Sequence, residues 1–261
     1  YPFILMEGTL GERLKREFDL DISGTVAMAD LIYQQKGRMA LKTLWNEYMD
    51  IAHRYQLPFL ATTPTRRANK ERVYMAGYNE SIITDNVDFL RTIKETANVN
   101  MYIGGLMGCK GDAYTSERAL NQEEAIAFHS WQASLFKSVG VDFLYAGIMP
   151  VLSEAIGMAV AMSDTDIPYI ISFTIQRNGK LIDGHTINDA IYYIDNHVSN
   201  KPVCYMTNCV HPDIVYEALS HKFNQTQMVK NRFWGIQANT SRLSYKELDG
   251  AKNLRTSSAV D

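Results

Sequence analysis

No stretch of this sequence approaches the roughly 20 consecutive apolar residues of a membrane-crossing helix, and no basic segment leads into an apolar run in the manner of a signal peptide. No sign of charge dominates either. The 26 Lys and Arg against 29 Asp and Glu leave a net charge of -3, which supplies no global field to draw the chain onto nucleic acid or an anionic membrane. Cysteine is scarce: Cys109, Cys204 and Cys209 cannot all pair with one another, so a disulfide framework is excluded and a reducing compartment, by default the cytoplasm, is expected. The Gly-x-Gly-x-x-Gly turn of a dinucleotide-binding sheet does not follow the first strand, which argues against the open doubly wound alternative.

What is present is regular alternation. Apolar runs at 2–6, 58–61, 100–103, 141–146, 169–175, 203–206 and 233–238 read as strands, and the segments between them carry apolar residues at helical spacing. Leu41, Leu44, Trp45, Tyr48 and Ala52 mark one such face, and Ile83, Val87, Leu90 and Ile93 another. Asn121 with Glu124 forms a capping-box pair, Gly140 a helix stop, Asn178-Gly179 a turn and Thr186 a further cap. The stretch from Gly104 to Asp112 is rich in glycine and reads as a loop after the third strand. Helices between successive strands imply a parallel sheet, because each crossover needs one. The fold class is therefore α/β, a (β/α)8 TIM barrel formed as a single domain over 1–261. Only seven strands can be counted, so either strand eight lies beyond Asp261 or the sheet is open.

Strand ends carry the chemistry in such a fold. Val203 to Met206 leads into Thr207-Asn208-Cys209, then His211-Pro212-Asp213 opens a helix, which places the Cys209 thiol where a parallel strand meets its loop. A thiol there suits a soft metal ligand or a nucleophile, although a lone cysteine is more often packed in the core. Cys204, further back along the strand, reads as core.

Several strand ends together resemble one known family. Glu7-Gly8-Thr9-Leu10-Gly11-Glu12-Arg13-Leu14 is similar to the Asp-Gly-Ala-Met-Gly-Thr-x-Leu opening of the homocysteine S-methyltransferases. Thr62-Thr63-Pro64-Thr65 resembles the second-strand Thr-Asn-Thr, and Gly104-Gly105-Leu106-Met107-Gly108 with Gly111 resembles the third-strand Gly-Ser-x-Gly-Pro-x-Gly. Ile171-Ser172-Phe173 with Asp183-Gly184 resembles the fifth-strand pattern, and Thr207-Asn208-Cys209 the sixth-strand Asn-Cys. The matches run in order over nearly the whole chain.

The resemblance implies a methyltransferase that moves a methyl group from a sulfonium, betaine or methylfolate donor to the thiolate of homocysteine or a related thiol. It implies one zinc ion, with Cys209 as a ligand and two more cysteines from a strand-eight Gly-Gly-Cys-Cys-Gly-Thr expected beyond Asp261. Glu7 and Asn208 are the catalytic candidates. Glu7, Thr62, Thr63, Gly105 and Ser172 are the substrate-binding ones, with Glu7 holding the amino group. The expected partners are a small thiol and a methyl donor, with neither nucleic acid nor membrane.

Two departures stand out: the fourth-strand Glu-Thr-Ile-Pro is Gly147-Ile148-Met149-Pro150, which removes a counter-charge, and Cys109 stands where the third-strand loop has Pro. A metabolite-binding barrel without methyl transfer and a zinc-free lyase using Lys110 are the alternatives. Arg66 and Arg67 are candidates for an anion clamp, His211 for an extra ligand and Trp234 for a cation cage. His53, His129, His197 and His221 read as surface or half-buried helix residues.

Overall fold

The computed structural model describes residues 3–248. Pro2, placed in the first strand from sequence, and the polar tail 249–261 lie outside them. The chain divides into two compact units, 1–107 with 130–145 and 108–129 with 146–261.

In the first unit, β1 (Leu5–Met6) leads into α1 (Gly11–Glu17), a 3₁₀ turn at Leu31–Tyr33 and the long α2 (Gln35–Arg54). β2 (Phe59–Thr62), α3 (Lys70–Met75), α4 (Ser81–Lys94) and β3 (Met101–Met107) follow. The buried face of α2 is Ala40, Leu41, Leu44, Trp45, Met49 and Ala52, the three-and-four spacing of a helix laid on a sheet. β1 pairs with β2 and β2 with β3, all parallel, with Leu5 opposite Phe59 and Phe59 opposite Met101.

Helix α5 (Gln122–Val139) and strand β4 (Phe143–Met149) run across the division. The reciprocal bonds between Asn121 and Glu124 at the start of α5 are the expected capping box, and Gly140, at φ +77°, ends the helix in a conformation glycine adopts without strain. All seven residues of β4 are buried, in keeping with the near-continuous apolar run of a strand covered on both faces.

The second unit continues with α6 (Leu152–Ser163), β5 (Tyr169–Phe173), α7 (Ile187–His197), β6 (Cys204–Val210), α8 (Pro212–Ser220), α9 (Gln227–Arg232), β7 (Phe233–Ala238) and α10 (Tyr245–Leu248). Thr186 and Asp189 close the capping box of α7, and Pro212 occupies the first turn of α8, where no N–H is needed. β5, β6 and β7 are parallel neighbours. The strand order of the sheet is β1-β2-β3-β4-β5-β6-β7. Seven parallel strands in sequential order, alternating with helices, give the (β/α)8 barrel class, with seven of its strands among the described residues.

The glycine-rich run after the third strand is a correction. Gly104, Gly105, Leu106 and Met107 belong to β3, not to a loop. A Cβ on Gly104 would lie 2.3 Å from the Phe143 ring and one on Gly105 2.6 Å from the Phe136 ring. These glycines are strand residues whose missing side chains admit two phenyl rings.

At the amino end of β6, Arg232 donates to both carboxylate oxygens of Asp195 at 3.0 Å and to the Pro202 carbonyl at 2.7 Å, while the Tyr205 hydroxyl donates to Asp195 at 2.8 Å. Removing one member leaves a half-buried charge without its fork-shaped partner. Arg232→Ala is expected to destabilise the protein by about 2 kcal/mol, read as a lowered urea midpoint.

Candidate active site

Glu7 follows β1 directly and is 4% exposed. Its two carboxylate oxygens accept the Thr62 backbone N–H at 3.0 and 2.9 Å, and the Thr62 hydroxyl donates to one of them. Burial pushes the Glu7 carboxyl up to about 8, outweighing the Thr62 donors that favour its charged form. The buried indole N–H of Trp45 is near enough to favour the charge as well, but it makes no hydrogen bond of normal geometry.

Thr63 and Thr65 share a bond at 2.7 Å, the Leu106 N–H donates to the Thr63 hydroxyl at 3.1 Å, and Thr65 donates to the Leu106 carbonyl at 2.8 Å. Gln132, 2% exposed, donates to the Thr65 carbonyl at 3.0 Å. The Thr-Thr-Pro-Thr motif thus ties the end of β2 to β3, with both Thr63 and Thr65 fully buried. Gly105 lies buried in β3 beneath Phe136. The structure brings Glu7 and Thr62 into direct contact and sets Thr63 just past the end of β2, while Gly105 lies inside β3 against Phe136. The sequence places Gln132 with Ala125, Phe128, Leu135 and Phe136 on the lining face of its helix, but gives it no part in the site.

In the second unit the ladder between β6 and β7 pairs Asn208 with Gln237 and Val210 with Ala238, leaving Cys209 as an extra residue. Cys209 has φ +57° and is exposed, between half-buried Asn208 and buried Val210. This is a β-bulge that turns the thiol out of the ladder, a device that re-aims a side chain at a strand end. Next to it, the Ser172 hydroxyl on β5 donates to the Asn208 amide oxygen, and the Asn208 amide nitrogen donates to Gln237. The chain Ser172–Asn208–Gln237 therefore crosses β5, β6 and β7 just before the bulge. Gln237 was not singled out from sequence; the alternation of Phe233, Gly235 and Gln237 along β7 is the signal that marks its face. The Tyr245 hydroxyl donates to the Ile175 and Asn208 carbonyls at 3.2 and 3.4 Å. Burial first, then the adjacent Cys209 thiol, push the Tyr245 phenol up. Tyr245 also stacks on Tyr114 at 4.7 Å.

The remaining candidates are placed as follows. Cys204, read as core, is only half-buried, and desolvation raises its thiol to about 11. The Nδ1 atom of His211 accepts the Asp213 N–H at 3.1 Å and caps α8, so this nitrogen is committed. Arg66 and Arg67 are half-buried. The Lys110 ammonium lies 5.0 Å from the centre of the Phe128 ring. Trp234 is 66% exposed on β7. Gly147 stands within buried β4, so the counter-charge of the fourth-strand motif is not supplied there. His129 corrects the surface expectation: it is 1% exposed, with its Nε2 atom 3.1 Å from the carboxylate of fully buried Glu154. A carboxylate from a later helix, invisible to local periodicity, keeps it inside.

Zinc can be tested against these donors. Exposed Cys209 fits the part of one thiolate ligand, but among the described residues no three His, Cys, Asp or Glu side chains converge into a complete set. No helix among those residues is long and apolar enough to cross a membrane.

The homocysteine S-methyltransferase family profile matches residues 4–257. The chain belongs to this family. As a homocysteine S-methyltransferase family member it is a methyltransferase enzyme, with transfer to a thiol as its general chemistry. Among solved structures, the metallated form of the homocysteine methyltransferase MmuM from Escherichia coli is 17% identical, covers 92% of this chain and 93% of that one, and superposes with a TM-score of 0.71. The oxidised form of that protein is 18% identical over 84% of this chain and 77% of that one, with a TM-score of 0.70. These likenesses show a shared fold. No curated protein sequence matches this homocysteine S-methyltransferase family member.

Proposed function

We propose that this protein transfers a methyl group from a sulfonium, betaine or methylfolate donor to the thiolate of homocysteine or a related thiol, acting in the cytoplasm as a single barrel domain over 1–261. The observation that carries the reading is the buried Glu7 carboxyl, whose oxygens are fixed by Thr62 and which gains most from an ammonium partner. An α-amino acid brings that ammonium, and homocysteine brings the thiol as well. In the transfer, a sulfur lone pair forms the new S–CH₃ bond while the donor's bond to the methyl group breaks and leaves its electron pair with the donor.

Glu7 holds the amino group, and Thr62 orients Glu7. Thr63 and Gly105 keep the ends of β2 and β3 in place for the substrate. In the other unit, Ser172 and Asn208 form the hydrogen-bonded chain beside the bulge, and Asn208 steadies the backbone that presents Cys209. Cys209 would be one ligand of a single zinc ion, the remaining ligands not being among the described residues. When bound, zinc supplies a deprotonated thiolate at neutral pH, where a thiol of ordinary pKa about 8.5 is mostly protonated.

Elemental analysis of the full-length protein and of Cys209→Ala tests the metal part. Near-stoichiometric zinc in the wild type that falls in the variant is expected. Absence of zinc from reduced, metal-replete wild type would sink the zinc assignment.

A further inference from the structure

The buried pair Glu154 and His129 has no place in the chemistry above, and it sits at the centre of a set of bonds to the loop after β3. The Glu154 carboxylate accepts the Lys110 backbone N–H at 2.7 Å and the Leu120 N–H at 3.4 Å, so one side chain holds both ends of the segment 110–120. His129 completes the set from α5 at 3.1 Å. Beside it, the Ser153 hydroxyl donates to the Leu120 carbonyl at 2.9 Å. Further along, the Thr174 hydroxyl donates to the Ala113 carbonyl at 2.6 Å, and Tyr114 stacks on Tyr245.

Glu154 is fully buried, so it depends on these donors. Swinging the loop away would strip a buried acceptor of its backbone partners, at a cost well above that of breaking an exposed hydrogen bond. The segment between β3 and α5 is thereby tied at both ends to one buried side chain.

We infer that Glu154 and His129 are positioning residues, which lock the 108–121 loop at the carboxyl end of β3 in the geometry the methyltransferase needs. They touch no substrate and act through the loop, which carries Cys109 and Lys110. The catalytic consequence rests on the proposed methyl transfer; the anchoring itself does not.

The test compares full-length wild type with Glu154→Gln, His129→Ala and His129→Gln. Amide hydrogen exchange is followed across 108–121, Cys109 alkylation by iodoacetamide is followed by peptide mapping, and kcat and KM are measured for homocysteine. Loss of one bond to the carboxylate is expected to speed exchange at Lys110 and Leu120, and alkylation of Cys109, by roughly ten- to a hundredfold. KM is expected to rise more than kcat falls. His129→Gln, which keeps a donor, is expected to restore most of the protection that His129→Ala loses. If Glu154→Gln does not fold, the two His129 variants carry the comparison.

Unchanged exchange and alkylation in folded variants would overturn the anchoring. A loosened loop with unaltered kcat and KM would overturn the positioning role. A loosened loop in a protein that transfers no methyl group even as wild type would uphold the anchoring and bring down the methyltransferase reading instead.

Discussion

Cys209→Gly is expected to abolish methyl transfer while leaving the protein as stable as the wild type or slightly more so. Cys209 sits in a β-bulge at φ +57°, a conformation that costs an L-residue with a Cβ about 1 kcal/mol and costs glycine almost nothing. Its side chain is exposed, so little packing is lost with it. Cys209→Ala keeps the backbone strain and is expected to match the wild type in stability and the glycine variant in inactivity. The loss in kcat/KM is expected to reach at least about a hundredfold in both, since even partners one step removed from a metal commonly cost ten- to a hundredfold. Thermal unfolding and initial rates, measured side by side, check both halves. A strained residue that is more stable as glycine and useless as glycine is strain kept for function.

Glu7→Gln is the second large effect, and its sign depends on pH. The folded carboxyl titrates near 8, against 4.5 for its ordinary value. Below 4.5 both folded and unfolded chains hold the proton, and Glu7 costs nothing. Between 4.5 and 8 the unfolded chain releases the proton and the folded one keeps it, so stability falls as pH rises, by about 3 kcal/mol at pH 7; above 8 the loss is constant. Glutamine carries no such penalty. The variant is expected to melt above the wild type at pH 8, with the gap narrowing toward pH 5.

On the proposed reading binding moves the other way, because an ammonium held by Glu7 requires the ionised carboxylate. The affinity of wild type for methionine, the methylated product, is expected to improve about tenfold per pH unit up to about 8 and then level off. Glu7→Gln is expected to bind weakly at every pH. Calorimetric titration at pH 6, 7 and 8 reads this directly. A wild-type affinity that does not vary over that range would remove Glu7 from the substrate's amino group.

Most of the elements were legible because they rest on local signals. The buried stripe of α2, the all-apolar β4, the Thr186 cap and the Gly140 stop each follow from a few neighbouring residues. The misreadings share one cause, a partner distant in sequence. Gly104 and Gly105 read as a loop because glycine is rare in strands, yet Phe143 and Phe136 need the space that their missing side chains leave. His129 read as surface or half-buried because nothing nearby announces Glu154, and Gln132 was given no part in the site because its acceptor, the Thr65 carbonyl, is distant in sequence.

The candidate site shows the same division. Glu7, Thr62 and Cys209 were visible as strand-end residue types, and their motifs matched a family pattern. The bulge was not visible: an inserted residue leaves the composition of β6 unchanged and shows only in its register with β7. Gln237, which continues the chain from Ser172 through Asn208, was hidden for the same reason.

The most direct test of the account is methyl transfer itself. The full-length, zinc-replete protein is incubated with homocysteine and, in separate reactions, a methyl-labelled sulfonium, betaine or methylfolate donor, and labelled methionine is counted for wild type, Glu7→Gln and Cys209→Gly. The account predicts labelled methionine from wild type with at least one donor, and near-background counts from both variants although both remain folded. No transfer from any donor, or transfer that survives both substitutions, would contradict it.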